Sequence, residues 1–258
     1  MHDKGPSTQR DGATSVGYRT THQDADHARY YDRDFWSPSS AKGLDWEIER
    51  RILDRVFDRH LRPTPLRAVD FACGTGRVLQ YLEARVNETI GIDVSAEMLA
   101  LARPRCPHSR LVQHDVTVTP LPDLPQPIDL VTAFRFFLNA EPELRRDALT
   151  WMRSALRTDG VLVANFHLNP SSLRGRYLRM RWAGRQRVPM LAPRAVDDML
   201  AAAGFDVLTH YGYEYLPYRR EGTRLWAPAL RRRLEMALLD KPRIAALGGA
   251  FIVVARAR

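Results

Sequence analysis

Three carboxylates and one imidazole stand where they could meet a ligand: Asp70, Asp93, Asp115 and His167. Asp70 closes an apolar run and is followed by small residues at alternate positions, Ala72, Gly74 and Gly76, with Cys73 between the first two. Glycine adopts positive φ and lets the backbone approach a ligand that a Cβ would hold off. The helical turn that follows leaves N–H groups unpaired and carries partial positive charge, which suits a carboxylate or a phosphate. A dinucleotide fingerprint needs a third glycine three residues after the second, and Leu79 stands there instead. An acidic strand end also repels a pyrophosphate. Asp93 closes a second apolar run, Thr89 to Val94. A carboxylate there can accept hydrogen bonds from two adjacent hydroxyls, at roughly 1.5–3 kcal/mol for a bond to a charged group. The other reading of Asp93 is an N-cap for the helix beginning near Ser95, a role Ser95 can fill itself. His167 also closes an apolar run; an imidazole with an ordinary pKa of about 6.5 can take a proton near neutral pH, or can be a satisfied turn residue.

Hydrophobic spacing supplies the elements that would position these groups. Leu66, Ala68, Val69 and Phe71 read as a buried strand, and Val78, Leu79 and Leu82 recur at helical spacing after it. Further strands are expected at Thr89–Val94, at Leu111 with its following loop to Val116, at Ile128–Phe134, Val161–His167, Phe205–Tyr211 and Gly249–Ala255. Between them, Leu144–Leu156 reads as a helix stopped by Asp159-Gly160, and a second helix runs from Pro193 to Ala203-Gly204. Prolines at 120, 122, 125 and 127 mark a surface loop. Upstream, Trp46, Ile48, Ile52, Leu53, Val56 and Phe57 make an amphipathic helix, with Glu47, Glu49, Arg50 and Arg51 assigned to its polar side.

The stretch Asp70-x-Ala72-Cys73-Gly74-Thr75-Gly76 resembles the first motif of the class I S-adenosylmethionine-dependent methyltransferases, in the variant with alanine where the family usually has glycine. The resemblance implies an α/β fold, a Rossmann-like seven-stranded and mostly parallel sheet with an antiparallel last strand and helices on both faces. It implies S-adenosyl-L-methionine as cofactor, S-adenosyl-L-homocysteine as product and no metal. Asp70, Ala72, Cys73, Gly74 and Gly76 would face the cofactor's charged end, Asp93 and Val94 its ribose, and Met98, Asp115 and Val116 its adenine, with Met98 equally placed for core packing. Phe134 would close the fourth strand opposite the transferable methyl. Arg135, Phe136, Phe137 and Asn139 would follow at the acceptor, with His167 as a base or an acceptor contact. The Tyr30-Tyr31-Asp32 run matches a segment that closes over the cofactor in relatives, which makes Tyr30 or Tyr31 a lid contact and a second candidate base. Neither the Asn-Pro-Pro-aromatic signature of base-methylating enzymes nor a Pro-Cys nucleophile is present, since Cys106 precedes Pro107.

The 258 residues favour one domain over two, with residues 1–28 as a mobile N-terminal tail and 29–258 as a methyltransferase domain. Two stretches exceed the bare fold. Residues 170–189 carry Tyr177 and Arg181 among other arginines, and residues 212–248 carry Tyr213; both are read as walls of an acceptor pocket. Arginine forks beside aromatic faces suit phosphate, carboxylate or a sugar-nucleotide. The formal charge of +9 agrees with an anionic partner but names none. The expected partner is a small-molecule or glycan-like acceptor; nucleic acid is disfavoured, and an anionic membrane surface stays open through the arginine-rich segment. Two cysteines without zinc-like spacing, and no signal-peptide core or membrane-length apolar run, point to a cytoplasmic protein. The rival readings are an RNA methyltransferase and a silent cofactor-binding or membrane-surface scaffold.

Overall fold

The computed structural model describes residues 41–62, 66–181, 190–216 and 228–258. Tyr30, Tyr31 and the expected tail at 1–28 lie outside these residues, as do parts of both long insertions.

Seven strands form one sheet in the order β3-β2-β1-β4-β5-β7-β6. They are β1 (Arg67–Phe71), β2 (Glu88–Asp93), β3 (Arg110–Gln113), β4 (Ile128–Ala133), β5 (Leu156–His167), β6 (Phe205–Tyr213) and β7 (Ala250–Ala257). The first five run parallel, and β7 enters antiparallel between β5 and β6. This is the expected Rossmann-like α/β arrangement. The helices in chain order are α1 (Ala41–His60), α2 (Arg77–Glu83), α3 (Ala96–Ala102), α4 (Pro142–Ala155), α5 (Leu173–Arg181), α6 (Pro193–Ala202) and α7 (Pro228–Leu238).

Side chains alternate along each strand, so the sheet feeds two cores. On one face Val69, Phe71, Ile90, Ile92, Val131 and Ala164 pack with Leu144, Leu149 and Met152 of α4 and Val196 and Leu200 of α6. On the other, Ala68, Leu130, Val163, Ile252 and Val254 pack with Ile48, Ile52, Leu53 and Val56 of α1 and Val78 and Leu82 of α2.

Two sequence expectations need correction. Asp159-Gly160 does not stop the helix: α4 ends at Ala155, and the chain re-enters the sheet at Leu156, opposite Ile128. The register then slips before Leu130 pairs with Val161. Asp159, at φ 66°, marks that irregularity inside β5. The second correction concerns Glu49, which is not on a solvated face but fully buried.

Candidate active site

The glycine loop is tied to the end of β2 by two backbone donors. Cys73 N–H donates to the Ile92 carbonyl at 3.0 Å, and Gly74 N–H donates to Oδ2 of Asp93 at 2.8 Å. The other carboxylate oxygen of Asp93 accepts the Ser95 N–H at 2.9 Å. Ser95 in turn caps α3 by accepting the Met98 N–H. Asp93 therefore fixes the loop rather than capping the helix.

The loop turns through left-handed backbone at Ala72 (φ 53°), Gly74 (φ 54°) and Gly76 (φ 79°). A left-handed conformation costs an L-residue about 1–2 kcal/mol, which is the physical reason glycine suits the first of these positions and alanine carries strain there. The two glycines have different surroundings. A Cβ on Gly76 would lie 2.8 Å from the Cys106 sulfur and 3.0 Å from the Ala102 methyl, whereas a Cβ on Gly74 would meet no atom of the described residues within 4 Å. One side of the loop is packed against the helix layer, and the other is open to a ligand. The residues fit a nucleoside cofactor approaching at Gly74, with the Asp93 carboxylate beside it.

Asp70 is buried and pairs in register with Thr132, whose hydroxyl donates to its Oδ1 at 2.6 Å. Burial pushes its pKa up to about 7, opposed by the Thr132 bond and by the charge of Arg77. The Cys73 thiol, also buried, is pushed well above its ordinary range by desolvation and then by the charge of Asp93. It is inert as a nucleophile in that environment. Asp115 is held by Thr117, whose backbone N–H donates to Oδ1 at 3.0 Å. Val94 is half-buried; Met98 and Val116 are buried.

At the adjoining strand ends, side chains from five elements converge. Glu49 on α1 accepts from Arg77 at 2.7 Å through Oε2, and from Asn165 at 3.1 Å and the Tyr213 hydroxyl at 3.0 Å through Oε1. Asn165, on β5, also donates to Nε2 of His167 at 3.1 Å and accepts the Arg135 backbone N–H at 2.6 Å. The Arg135 guanidinium reaches the same His167 nitrogen at 3.0 Å. The same Arg135 Nη1 lies 3.5 Å from Nδ1, so the guanidinium faces both ring nitrogens. Tyr213 meets the His167 ring edge-on at 6.1 Å. Arg77 follows Gly76 directly and lies 4.2 Å from the Trp46 ring centroid. Glu49 thus bridges the glycine loop to the His167 edge, an arrangement that the sequence reading missed.

The other residues expected at the acceptor are spread over the loop after β4, the core and α5. Asn139 is exposed and donates to the Arg135 carbonyl at 3.2 Å. Phe136 and Phe137 are buried and belong to a chain of rings running Phe71, Phe136, Phe137, Phe166 and Phe251, with successive centroids 4.8, 5.2, 5.0 and 5.3 Å apart. Both join the core cluster on that face of the sheet. Phe134 is buried on the opposite face, near Tyr213. On α5, Leu173, Tyr177 and Met180 are exposed on one side of the helix, as is Arg181. A separate cavity of about 580 Å³ opens between the proline loop and the second half of α4, lined by Thr117, Leu121, Leu124, Thr150 and Trp151 among others. That half of α4 returns toward the amino edge of the sheet, away from His167. Among the described residues no cluster of three or more His, Cys, Asp or Glu could hold a metal ion, and no helix is long and apolar enough to cross a membrane.

Residues 68–160 match the family model described as a methyltransferase domain. A dTDP-3-amino-3,4,6-trideoxy-α-D-glucopyranose N,N-dimethyltransferase from Streptomyces venezuelae is 34% identical over 94 residues, covering 36% of this chain and 37% of that protein. The chain spans less than half the length of the first curated relatives it matches. A trans-aconitate 2-methyltransferase from Yersinia pseudotuberculosis is 26% identical over 229 residues, 80% of this chain and 86% of that one. Among solved structures, an S-adenosylmethionine-bound amino pentose methyltransferase from Micromonospora echinaspora superposes with a TM-score of 0.53 at 20% identity, covering 83% of this chain and 92% of the other. That last likeness is one of fold.

Proposed function

In a chain whose sheet and whose residues 68–160 are those of a class I S-adenosylmethionine-dependent methyltransferase, we propose that the site transfers a methyl group to an oxygen or nitrogen of a small polar or anionic acceptor. The observation that carries this reading is the glycine loop, open at Gly74 and clasped by Asp93 at the carboxyl edge of the sheet. Open α/β sheets take their ligands at that edge. The curated relatives named for amino sugars and for trans-aconitate support a low-molecular-weight acceptor.

When bound, S-adenosylmethionine supplies a methyl already activated by the sulfonium. What remains for the chain is to hold, orient and exclude water. In this reading Asp93, which holds the loop through the Gly74 and Ser95 amides, accepts from the ribose. Asp70 places negative charge below the open side of the loop, where a cationic sulfur nucleoside gains from it. Asp115 accepts from the adenine amino group, with Met98 and Val116 against the ring and Val94 alongside. Arg135 and His167 form the acceptor's polar wall. Asn165 stands 3.1 Å from His167 Nε2, and the Arg135 guanidinium lies against both ring nitrogens. An acceptor hydroxyl that uses His167 as its base competes with those two groups for the ring, whereas an acceptor amine that is already neutral needs no base.

The test is to incubate the protein with methyl-labelled S-adenosylmethionine and a fractionated extract, alongside defined amino sugars and tricarboxylates. Label in a small-molecule fraction supports the proposal. Label in the RNA fraction, with binding that weakens steeply as salt is added, would replace it with the RNA reading. Label that never leaves the cofactor would reduce the protein to a scaffold.

A further inference from the structure

Arg145 stands in the first turn of α4 with only 4% of its surface exposed. At 100° per residue it falls between Leu144, Ala148, Leu149 and Met152, so it occupies the stripe of α4 that faces the core. Its Nε and Nη2 atoms are buried and meet no acceptor. Burial holds its pKa below arginine's ordinary value, opposed only by the charge of Glu141 at the start of the helix. A buried cation without acceptors costs stability, and a well-packed apolar side chain of similar volume would serve the core better.

The orphaned edge has a defined shape. Nε and Nη2 form one side of the guanidinium fork, the side that engages both oxygens of a carboxylate or phosphoryl group in parallel. The helix terminus adds to this: Glu141 makes no side-chain bond to the first-turn amides, and the aligned peptide dipoles favour an anion there. Topology puts the turn in the right place. The parallel strand β4 delivers the chain to the carboxyl edge of the sheet, and α4 starts nine residues later. The connecting loop begins at Arg135, whose guanidinium reaches His167.

We infer that Arg145 anchors an oxyanion, a carboxylate or phosphoryl group carried by the acceptor, at the first turn of α4. That the anion belongs to the acceptor rests on the methyl-transfer reading; that the turn binds an anion does not.

The experiment uses the full chain, with citrate and inorganic phosphate as probes against chloride at matched ionic strength. Melting temperature and calorimetric affinity are recorded with and without S-adenosylhomocysteine. For the wild type, citrate or phosphate raises the melting temperature; the larger response identifies the anion class. Arg145→Met melts higher than wild type without anion and binds the probes at least tenfold more weakly, while S-adenosylhomocysteine affinity stays within twofold. Arg145→Lys, which keeps the charge but loses the fork, also weakens the probes at least tenfold and stands in if the methionine variant fails to fold. Anion responses unchanged in the variants, or absent from the wild type, overturn the inference. Equal loss of S-adenosylhomocysteine affinity also overturns it, because the guanidinium would then hold the cofactor's own carboxylate. Failure of wild-type protein to bind S-adenosylhomocysteine would instead count against the methyl-transfer reading.

Discussion

The Thr132 hydroxyl and the Asp70 carboxylate face each other across neighbouring parallel strands at 2.6 Å, sealed from solvent below the open loop. This bond favours the ionised acid, and burial opposes it more strongly.

The balance makes ligand-free stability depend on pH. The folded pKa of Asp70, about 7, lies above the ordinary 3.8, so the folded state holds a proton that the unfolded chain releases. Stability from this group is fully present below pH 3.8 and is lost as pH rises toward 7. The variant Asp70→Asn should flatten the melting temperature between pH 5 and 7 relative to wild type. A parallel slope in both proteins would exclude Asp70 as its source. Because a cation favours ionised Asp70, S-adenosylmethionine binding should release a proton in this window. Calorimetry in buffers of different ionisation heat measures that release.

Replacing Asp93 with alanine should weaken S-adenosylmethionine at least tenfold by isothermal titration. It removes the ribose acceptor and frees the Gly74 and Ser95 amides that hold the loop. An unchanged dissociation constant would refute the ribose assignment.

Glu49→Ala should destabilise the fold by about 3–5 kcal/mol in urea unfolding, since it removes the buried carboxylate that Arg77 pairs with and takes an acceptor from Asn165 and Tyr213. Glu49→Gln, which keeps a carbonyl acceptor, should recover part of that loss. Equal loss in both variants would mean that packing rather than charge is at stake.

The two left-handed residues at 72 and 76 should respond in opposite senses. Ala72→Gly relieves backbone strain and should raise the melting temperature slightly, the gain reduced by the added freedom of the unfolded chain. Gly76→Ala forces a Cβ to within 3 Å of the Cys106 sulfur in a conformation alanine resists, and should cost about 2 kcal/mol or more. Differential scanning calorimetry of both variants is the check.

The strands and the glycine loop were legible because their signal is local: apolar runs, a carboxylate at the strand end and small residues at fixed spacing. Glu49 was not, because Glu47, Arg50 and Arg51 around it read as a solvated face. Its burial follows from Asn165 and Tyr213, which lie more than a hundred residues away in sequence. Arg145 was hidden the same way beside Arg146, although its place on the apolar stripe of α4 could have been found by projecting that helix. Phe136 and Phe137 were ambiguous because an aromatic pair after a strand fits a pocket wall and a core layer equally well. The ring stack with Phe166 shows the core packing of Phe137. Asp159-Gly160 looks like a helix stop, but the pairing of Leu156 with Ile128 had already ended the helix.

The insertion of β7 between β5 and β6 has a consequence for how the sheet is made. As the polypeptide leaves the ribosome in order, β1 to β5 can zip together, but β6 emerges with no neighbouring strand to receive its amides. It must wait until Ala250–Ala257 slots in beside it, binding β5 on one flank and β6 on the other. Tyr213, at the end of β6, is held beside Glu49 only once β7 is in place, so the Tyr213 arm of the polar bridge behind His167 is the last to assemble.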